Sequence, residues 1–197
     1  MSATNRGAER EILDQYPTPF FAIEAFLKNY DITNLSCIDP CSGAGNIIKV
    51  SQSLVPSTQW AAVELDSKYS EDLYSKVQNN FIIHDFLNLD IEKIKNLNNG
   101  KNFDLVLTNP PYILAQEFVL KSFQIADKVS MLLRLNFLAS RKRVSFMQKH
   151  APDVYVLPKR PSFKKTAKSS TDACDYGWFV WDSKIERASG NIYFLNV

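Results

Sequence analysis

The stretch Phe103-Asp-Leu-Val-Leu-Thr-Asn-Pro-Pro-Tyr112 joins an apolar run to a stiff polar turn. The run Phe103–Thr108 is typical of a buried parallel strand, so the turn follows the carboxyl end of a strand, where open α/β sheets bind ligands. Its two prolines fix φ and remove two backbone donors, which leaves carbonyls able to accept hydrogen bonds. With the Asn109 amide oxygen and the flat Tyr112 ring, the turn suits a planar group that bears an NH2. A plain strand-to-helix turn is the alternative interpretation.

Length and composition predict one domain that spans residues 1–197. The chain is 45% apolar and 22% charged, as in soluble globular proteins, and is long enough to bury a sizeable core. No apolar run approaches the length of a membrane span, and the N-terminus lacks the apolar core of a signal peptide. We expect residues 1–14, which are polar, to be frayed, and we expect no membrane contact.

Cysteine and histidine usage indicates neither a metal site nor a disulfide framework. Cys37, Cys41 and Cys174 are odd in number and show no Cys-x-x-Cys spacing. We therefore expect reduced thiols in a cytoplasmic protein. His84 and His150 lie far apart in the sequence, and a structural or surface role is the better interpretation for both.

The net charge of +2 hides an asymmetry. Residues 1–133 carry 11 basic and 16 acidic side chains, whereas residues 134–168 carry 10 basic side chains and one acidic side chain, Asp153. Residues 169–197 carry two basic and four acidic side chains. A concentrated basic stretch in a nearly neutral protein favours a polyanionic partner over a merely solvated surface.

Strand and helix signals alternate along the chain. Strands are predicted at 35–39, 59–64, 81–84, 103–108, 129–135, 154–157 and 176–181, with a further edge strand within 191–197. Helices are predicted at about 45–55, 67–79 and 115–127, followed by a basic helix that ends near 149. Such alternation predicts an α/β fold with a largely parallel sheet covered by helices on both faces.

The first strand ends in Asp39-Pro-Cys-Ser-Gly-Ala-Gly-Asn46. Glycines between a strand and a helix let the backbone approach a ligand and present its amide groups. The full glycine set of a dinucleotide fingerprint is missing, and no Lys-Ser/Thr pair follows, so NAD and a P-loop are disfavoured. Asp39 would repel a pyrophosphate but would attract an ammonium group.

Two further acids follow at the next strand ends. Glu64 can accept ribose hydroxyls, Asp85 can accept from an adenine amine, and Phe86 can pack on the adenine ring. Each acid could instead be an ordinary helix cap or loop residue. Together with the glycine turn, however, they describe a pocket for a molecule with an ammonium group, a ribose diol and an adenine. S-adenosylmethionine has all three.

These motifs make the chain resemble class I S-adenosylmethionine-dependent amino-methyltransferases of the DNA adenine-N6 branch, small bacterial and phage type. Tyr16-Pro-Thr-Pro19 resembles the family's N-terminal cofactor motif, and Asn109-Pro-Pro-Tyr112 matches its catalytic motif. The resemblance implies a Rossmann-like fold with a mostly parallel seven-stranded sheet whose last strand or strands are antiparallel. The cofactor residues that it implies are Tyr16, Thr18, Pro19, Asp39, Pro40, Gly43, Gly45, Asn46, Glu64, Asp85, Phe86 and Asn109.

The resemblance also implies how the target is held. The catalytic residues would be Asn109, Pro110, Pro111 and Tyr112. Asn109 Oδ1 and the Pro110 carbonyl would accept both hydrogens of the adenine N6 amine, and Tyr112 would stack on the base. A base inside a duplex cannot reach such a pocket, so it must be flipped out.

Larger relatives have a separate domain for target recognition. Here only the short loop at 158–175 separates the sixth and seventh predicted strands, so this loop is the predicted substrate-recognition segment. Its basic side chains can bind phosphates, but the loop is too short to make many contacts with base edges. Phe163 could offer a second aromatic face or pack in the core. The predicted nucleic-acid-binding residues are Lys159, Arg160, Phe163, Lys164, Lys165 and Lys168.

Other substrates fit the same turn. Asn-Pro-Pro-Tyr followed by Ile113 also occurs in enzymes that methylate a glutamine amide in release factors, but those carry an N-terminal helical domain and need no basic loop. RNA adenine presents the same amine. A cofactor-binding scaffold without activity is a further alternative, which the intact motifs disfavour. DNA adenine is the favoured substrate.

Overall fold

A computed structural model describes residues 17–162 and 173–196. Within these ranges the strands are β1 (Ser36–Asp39), β2 (Gln59–Glu64), β3 (Phe81–Ile83), β4 (Phe103–Thr108), β5 (Ala126–Arg134), β6 (Asp153–Val156), β7 (Tyr176–Asp182) and β8 (Ile192–Phe194). The helices are α1 (Phe20–Leu27), α2 (Asn46–Leu54), α3 (Ser70–Val77), α4 (Ile91–Asn96), α5 (Ala115–Ser122) and α6 (Val144–Lys149).

The described strands form one sheet in the order β3-β2-β1-β4-β5-β7-β6-β8. Strand β7 is antiparallel to both neighbours, whereas every other pair is parallel. The predicted α/β class with a mostly parallel, Rossmann-like sheet is confirmed. The predicted edge strand is present as β8 and makes eight strands among the described residues instead of seven, and it runs parallel to β6.

Two apolar layers cover the two faces of the sheet. Cys37 and Leu105 point into a layer that also contains residues of α1, α2 and α3. Their chain neighbours Ile38 and Val106 point into the opposite layer, together with residues of α4, α5 and α6. Alternate residues of a strand face opposite sides, so the consecutive apolar residues of these central strands reflect burial of both faces of the sheet.

Two predicted boundaries are wrong. Helix α5 ends at Ser122, before the predicted end near 127, and β5 begins at Ala126, before the predicted start at 129. The polar pair Asp127-Lys128 is still strand, because Lys128 pairs with Asp182 of β7 and Asp127 binds Lys184. Cross-strand context here overrides the local polar pattern.

The predicted basic helix after β5 is largely replaced by tighter turns. Residues Leu135–Phe137 and Arg141–Arg143 form short 3-10 segments, and only Val144–Lys149 is α-helical. Arg143 fixes this segment by donating from Nε to the Phe137 carbonyl at 2.9 Å, and its guanidinium lies on the Phe137 ring. The sequence pattern also missed α4, which Asp90 caps by accepting from the Glu92 amide.

The parallel strands place their carboxyl ends along one edge of the sheet. Asp39 ends β1, Glu64 ends β2, and Asn109 follows β4 directly. Because β1 lies between β2 and β4, residues far apart in sequence are neighbours at this edge. We call it the carboxyl edge.

Candidate active site

The loop between β1 and α2 adopts the conformation that its glycines predict. Gly43 has a φ of +51° and Gly45 a φ of +74°, in the left-handed region that residues other than glycine rarely adopt. A methyl group added at Gly43 would meet no atom within 4 Å, so space for a ligand lies against the backbone there. The loop is therefore a cradle in which a side chain would occupy the ligand's place.

Glu64 holds this loop in position. Its Oε2 accepts from the Gly43 amide at 2.6 Å, and its Oε1 accepts from the Asp66 amide at 2.9 Å. Glu64 is 3% exposed, so the carboxylate is a buried charge bound by backbone donors. A carboxylate has about four acceptor positions, so it can accept ribose hydroxyls alongside these two amides.

Asp39 is buried at the end of β1, with 1% of its surface exposed. Its Oδ1 accepts from the Cys41 amide at 3.1 Å. Burial raises the pKa of Asp39 to about 7; the Thr108 hydroxyl and the Cys41 amide oppose the rise, and the nearby Glu64 charge adds to it. A cation that enters this pocket would favour the ionised form of Asp39.

The Cys41 thiol lies beside the same acids. Burial, followed by the Glu64 and Asp39 charges, raises the pKa of Cys41 well above its ordinary value. Cys41 therefore remains protonated at neutral pH and is a poor nucleophile. Nothing in this environment activates it for chemistry.

The N-terminal motif reaches the glycine loop through one hydrogen bond. Asn46 Nδ2, at the first residue of α2, donates to the Thr18 carbonyl at 3.1 Å. Thr18 and Pro40 are buried, and Pro19 is half-buried. The structure thus brings together three predicted cofactor segments, at Thr18–Pro19, 39–46 and Glu64. Tyr16 lies outside the described residues.

The third acid follows β3. Asp85 accepts from the Leu87 amide at 2.9 Å and from the Asn88 side chain at 2.6 Å, so its carboxylate organises its own turn. Phe86 is 2% exposed and packs on the Phe118 ring with centroids 5.2 Å apart. The placement of Phe86 in the core lets it support the turn, and its contact with an adenine ring stays a prediction.

The Asn109–Tyr112 turn lies directly after β4, as the sequence predicts. Pro110 is buried, and the Leu114 amide donates to the Pro111 carbonyl at 2.9 Å, which starts a 3-10 segment at Tyr112. Asn109 Oδ1 and the Tyr112 hydroxyl are shielded from solvent. The amide oxygen is therefore held in a dry, stiff turn beside the glycine loop.

The surroundings of Tyr112 include two residues that the sequence interpretation did not place in the site. The Arg134 guanidinium lies over the Tyr112 ring with Cζ 4.9 Å from the centroid, and Tyr176 lies 5.6 Å from Tyr112, ring to ring. Arg134 entered the sequence argument only as one charge of a basic stretch. Charge counting gives no direction for a side chain, so nothing in the pattern could assign it to Tyr112.

The described ends of the substrate-recognition loop make contacts within the protein. Arg160 Nε lies 2.8 Å from Asp175 Oδ1, and Lys159 Nζ lies 4.4 Å from the centroid of the Phe21 ring. The Arg160–Asp175 pair joins the two ends of the loop, with both side chains about half exposed. The other predicted nucleic-acid contacts, Phe163, Lys164, Lys165 and Lys168, lie outside the described residues.

Over residues 17–162 and 173–196, no three His, Cys, Asp or Glu side chains cluster closely enough to hold a metal ion. In the same ranges no helix has the length and apolar character needed to cross a membrane.

No family model matches the chain. A curated relative, the type II methyltransferase M.CvrRI of Paramecium bursaria Chlorella virus XZ-6E, is 28% identical over 86 residues, which are 44% of this chain. The match spans one fifth of that relative's length, 20%.

Two solved structures share the fold at low identity. PH1948 of Pyrococcus horikoshii, assigned as an RNA methyltransferase, superposes with a TM-score of 0.64 at 19% identity and covers 86% of this chain and 88% of its own. A protein of Vibrio vulnificus, assigned as the modification subunit of a type I restriction enzyme, gives 0.63 at 14% identity, over 93% of this chain and 47% of its own.

The viral relative adds sequence similarity to the fold that the solved structures share with this chain. The residues present also fit S-adenosylmethionine, because an open cradle at Gly43 adjoins buried acids at Asp39 and Glu64. The chain therefore shares the fold of these two solved structures, and part of its sequence is similar to part of a type II methyltransferase.

Proposed function

We propose that this chain transfers a methyl group from S-adenosylmethionine to the N6 amine of adenine in DNA. The observation that carries the proposal is the placement of Asn109-Pro-Pro-Tyr112 at the carboxyl edge, one strand away from the loop that Glu64 holds. A hydrogen-bond acceptor on a stiff turn beside the cofactor cradle suits a planar amine.

The cofactor half of the site divides into three tasks. Asp39 attracts the ammonium group, Glu64 accepts from the ribose hydroxyls, and Asp85 accepts from the adenine amine. Gly43 keeps the loop free of a side chain where the ligand lies, and Gly45 lets the loop pack closely against the Lys76 side chain of α3. Thr18, Pro19, Pro40 and Asn46 support the cradle from the N-terminal side. S-adenosylmethionine supplies an electrophilic methyl group when bound.

The residues around Asn109 activate the adenine amine, which is a poor nucleophile. The lone pair of an exocyclic adenine amine is delocalised into the ring. Asn109 Oδ1 and the Pro110 carbonyl accept the two N–H groups and stabilise positive charge on the nitrogen as it becomes tetrahedral. Pro111 fixes the turn, and Tyr112 stacks on the base. The proton leaves to solvent after transfer, so no strong base is required beforehand.

Several observations support DNA as the substrate. The viral relative is a type II methyltransferase, and the Vibrio structure is assigned to a restriction system. The stretch 134–168 has 10 basic side chains and one acidic side chain, which suits a phosphate backbone. A base must leave the duplex to reach Asn109, and stacking on Tyr112 offsets part of the cost of a few kcal/mol.

The experiment is a substrate comparison with isotopically labelled cofactor. The purified protein is incubated with S-adenosylmethionine that carries a deuterated methyl group and with duplex DNA, single-stranded DNA, RNA or a glutamine peptide. Mass spectrometry of the nucleosides or peptides then locates the label. We expect N6-methyl-2′-deoxyadenosine from DNA and none from Asn109→Ala. Label only in RNA or in the peptide would contradict the proposal and identify the alternative substrate.

A further inference from the structure

Arg134, the last residue of β5, lies against the proposed target-stacking residue. Its guanidinium covers one face of the Tyr112 ring, with Cζ 4.9 Å from the ring centroid. A guanidinium on an aromatic face is held by cation–π attraction and by the contact of two planes. A base that stacks on Tyr112 must therefore use the opposite face.

Arg134 is itself fixed by the neighbouring strand. Its Nε donates to the Tyr176 hydroxyl at 3.0 Å, and the two residues are partners in the register of β5 and β7. Tyr176 is 1% exposed, so its hydroxyl is a rigid acceptor. The core of the sheet thus fixes the guanidinium, and the guanidinium together with the Tyr176 ring fixes Tyr112.

The same geometry distinguishes Arg134 from Arg141 and Lys142, the next basic residues along the chain. An arginine that binds phosphate presents its planar fork to the oxygens. In Arg134 the Nε of that fork donates to the Tyr176 hydroxyl, and the guanidinium carbon lies over the Tyr112 ring. By contrast, Arg141 and Lys142 are exposed on the turn that follows β5. Arg134 is oriented toward the target pocket, whereas its basic neighbours are oriented toward solvent.

We infer that Arg134 is a positioning residue that holds the Tyr112 ring in the orientation that receives the target base. The inference rests on the proposed function, since it names a further residue of that site. A ring that is already ordered loses little freedom when the base stacks on it. Loss of Arg134 should therefore slow methyl transfer even when nucleic acid is saturating.

The kinetic test compares Arg134→Gln, Arg134→Lys and Tyr176→Phe, with Lys142→Gln as an exposed basic control. We expect Arg134→Gln to lower kcat at least about tenfold, since small misplacements at a reacting centre have effects of this size. The Kd for S-adenosylmethionine should stay unchanged. Arg134→Lys should not restore kcat, because an ammonium group has no planar face. Tyr176→Phe should lower kcat less than Arg134→Gln does, and Lys142→Gln should leave kcat unchanged.

Two kinetic outcomes would overturn the inference. An unchanged kcat with a raised KM for DNA in Arg134→Gln would make Arg134 a phosphate contact. Full recovery of kcat in Arg134→Lys would show that charge alone is needed. Tyr176→Phe removes only a hydroxyl, so it decides the question if Arg134→Gln does not fold: a wild-type kcat in that variant would then overturn the inference.

A spectroscopic measurement tests the orientation without turnover. In protein labelled with 3-fluorotyrosine, the ¹⁹F resonance of Tyr112 is assigned from its loss in Tyr112→Phe. Arg134→Gln should shift or broaden that resonance, and Lys142→Gln should leave it unchanged. An unaltered resonance in Arg134→Gln would overturn the inference. A wild-type protein inactive on every nucleic acid would overturn only the proposed function, because this spectrum would still report on the ring.

Discussion

The Gly43 amide donates to the Glu64 carboxylate across 2.6 Å, and this bond joins the loop after β1 to the end of β2. Glu64 also binds the Asp66 amide, so one buried acid fixes two loops at the carboxyl edge. The acid proposed to accept the ribose hydroxyls is thus also the acid that shapes the glycine cradle. Cofactor affinity and loop geometry are coupled at this residue.

Replacement of Glu64 by glutamine should weaken cofactor binding by about 1–3 kcal/mol, the range for lost hydrogen bonds to a charged group. The amide has one acceptor oxygen, so either Gly43 or Asp66 loses its partner. Calorimetry with S-adenosylmethionine measures the change. Glu71→Gln, an exposed acid on α3, is the control and should bind normally.

A cofactor analogue without ribose hydroxyls separates the two roles of Glu64. If Glu64 accepts from the ribose, the analogue should lose affinity for the wild type and much less for Glu64→Gln. Equal losses in both proteins would restrict Glu64 to holding the loop.

Asp39 makes the stability of the ligand-free protein depend on pH. Its folded-state pKa of about 7 exceeds the ordinary value of 3.8, so the folded protein holds this proton more tightly than the unfolded chain does. The contribution of Asp39 to stability is therefore full below its ordinary pKa and is lost as the pH rises toward 7. The loss should amount to a few kcal/mol, at about 1.4 kcal/mol per pKa unit.

Urea denaturation of the wild type and Asp39→Asn measures this dependence. The variant lacks the titrating group, so its free energy of unfolding relative to the wild type should increase between pH 4 and pH 8, an interval chosen to span roughly the two pKa values. A difference that does not change with pH would mean that Asp39 stays ionised in the folded protein.

Replacement of Asn109 by alanine should abolish methyl transfer and leave cofactor affinity nearly unchanged. Asn109 is proposed to contact the target amine, and one preorganised polar contact of this kind accounts for at least about a hundredfold in rate. Single-turnover kinetics and calorimetry on the same preparation measure both quantities. Asn79→Ala, an exposed asparagine beyond α3, is the control. Full activity of Asn109→Ala would refute the catalytic assignment.

The central strands and the site positions were predictable because their signals are local. Strands β2 and β4 have the predicted bounds, 59–64 and 103–108, since their apolar residues 60–63 and 105–107 are buried on both faces. The positions of Asp39, Glu64 and Asn109 at strand ends follow directly from those bounds. Parallel topology then brings the three together without further information.

What escaped prediction depends on contacts distant in sequence. The start of β5 is set by the pairing of Ala126 with Phe103 of β4 and of Lys128 with Asp182 of β7, which no local pattern reveals. The orientation of Arg134 depends on Tyr176 in the same way. Helix α4 is different, because Asp90 followed by an apolar residue and Glu92 is a local capping signal that could have been recognised.

Replacement of Asp175 by asparagine should strengthen nucleic-acid binding. The change removes the acidic partner of Arg160 and adds one positive charge at the base of the basic loop. The pair is about half exposed, so the free energy of unfolding should change by no more than about 1 kcal/mol. Asp127→Asn is a matched control, because it breaks the exposed pair with Lys184 near the start of β5, at the opposite edge of the sheet. Equal affinities of Asp175→Asn and wild type would mean that Arg160 makes no phosphate contact.

The double replacement of Lys164 and Lys165 by alanine tests whether the basic loop contacts phosphates. Each phosphate neutralised by a lysine releases counterions, so affinity should fall steeply with salt in the wild type. Loss of two contacts should weaken binding to all sequences alike and flatten the slope of log affinity against log salt by about one unit per contact. The rate at saturating substrate should change far less, since neither lysine is proposed to touch the reacting amine.

The measurement is binding of a short duplex across a salt series. The control pair Lys95→Ala and Lys101→Ala precedes β4, toward the edge of the sheet opposite the site, and should leave the slope unchanged. If the Lys164/Lys165 variant and the wild type give parallel slopes, the loop lysines are only a solvated surface. A substrate without a phosphate backbone, such as a protein amide presented to Asn109, would then become the better interpretation of the turn.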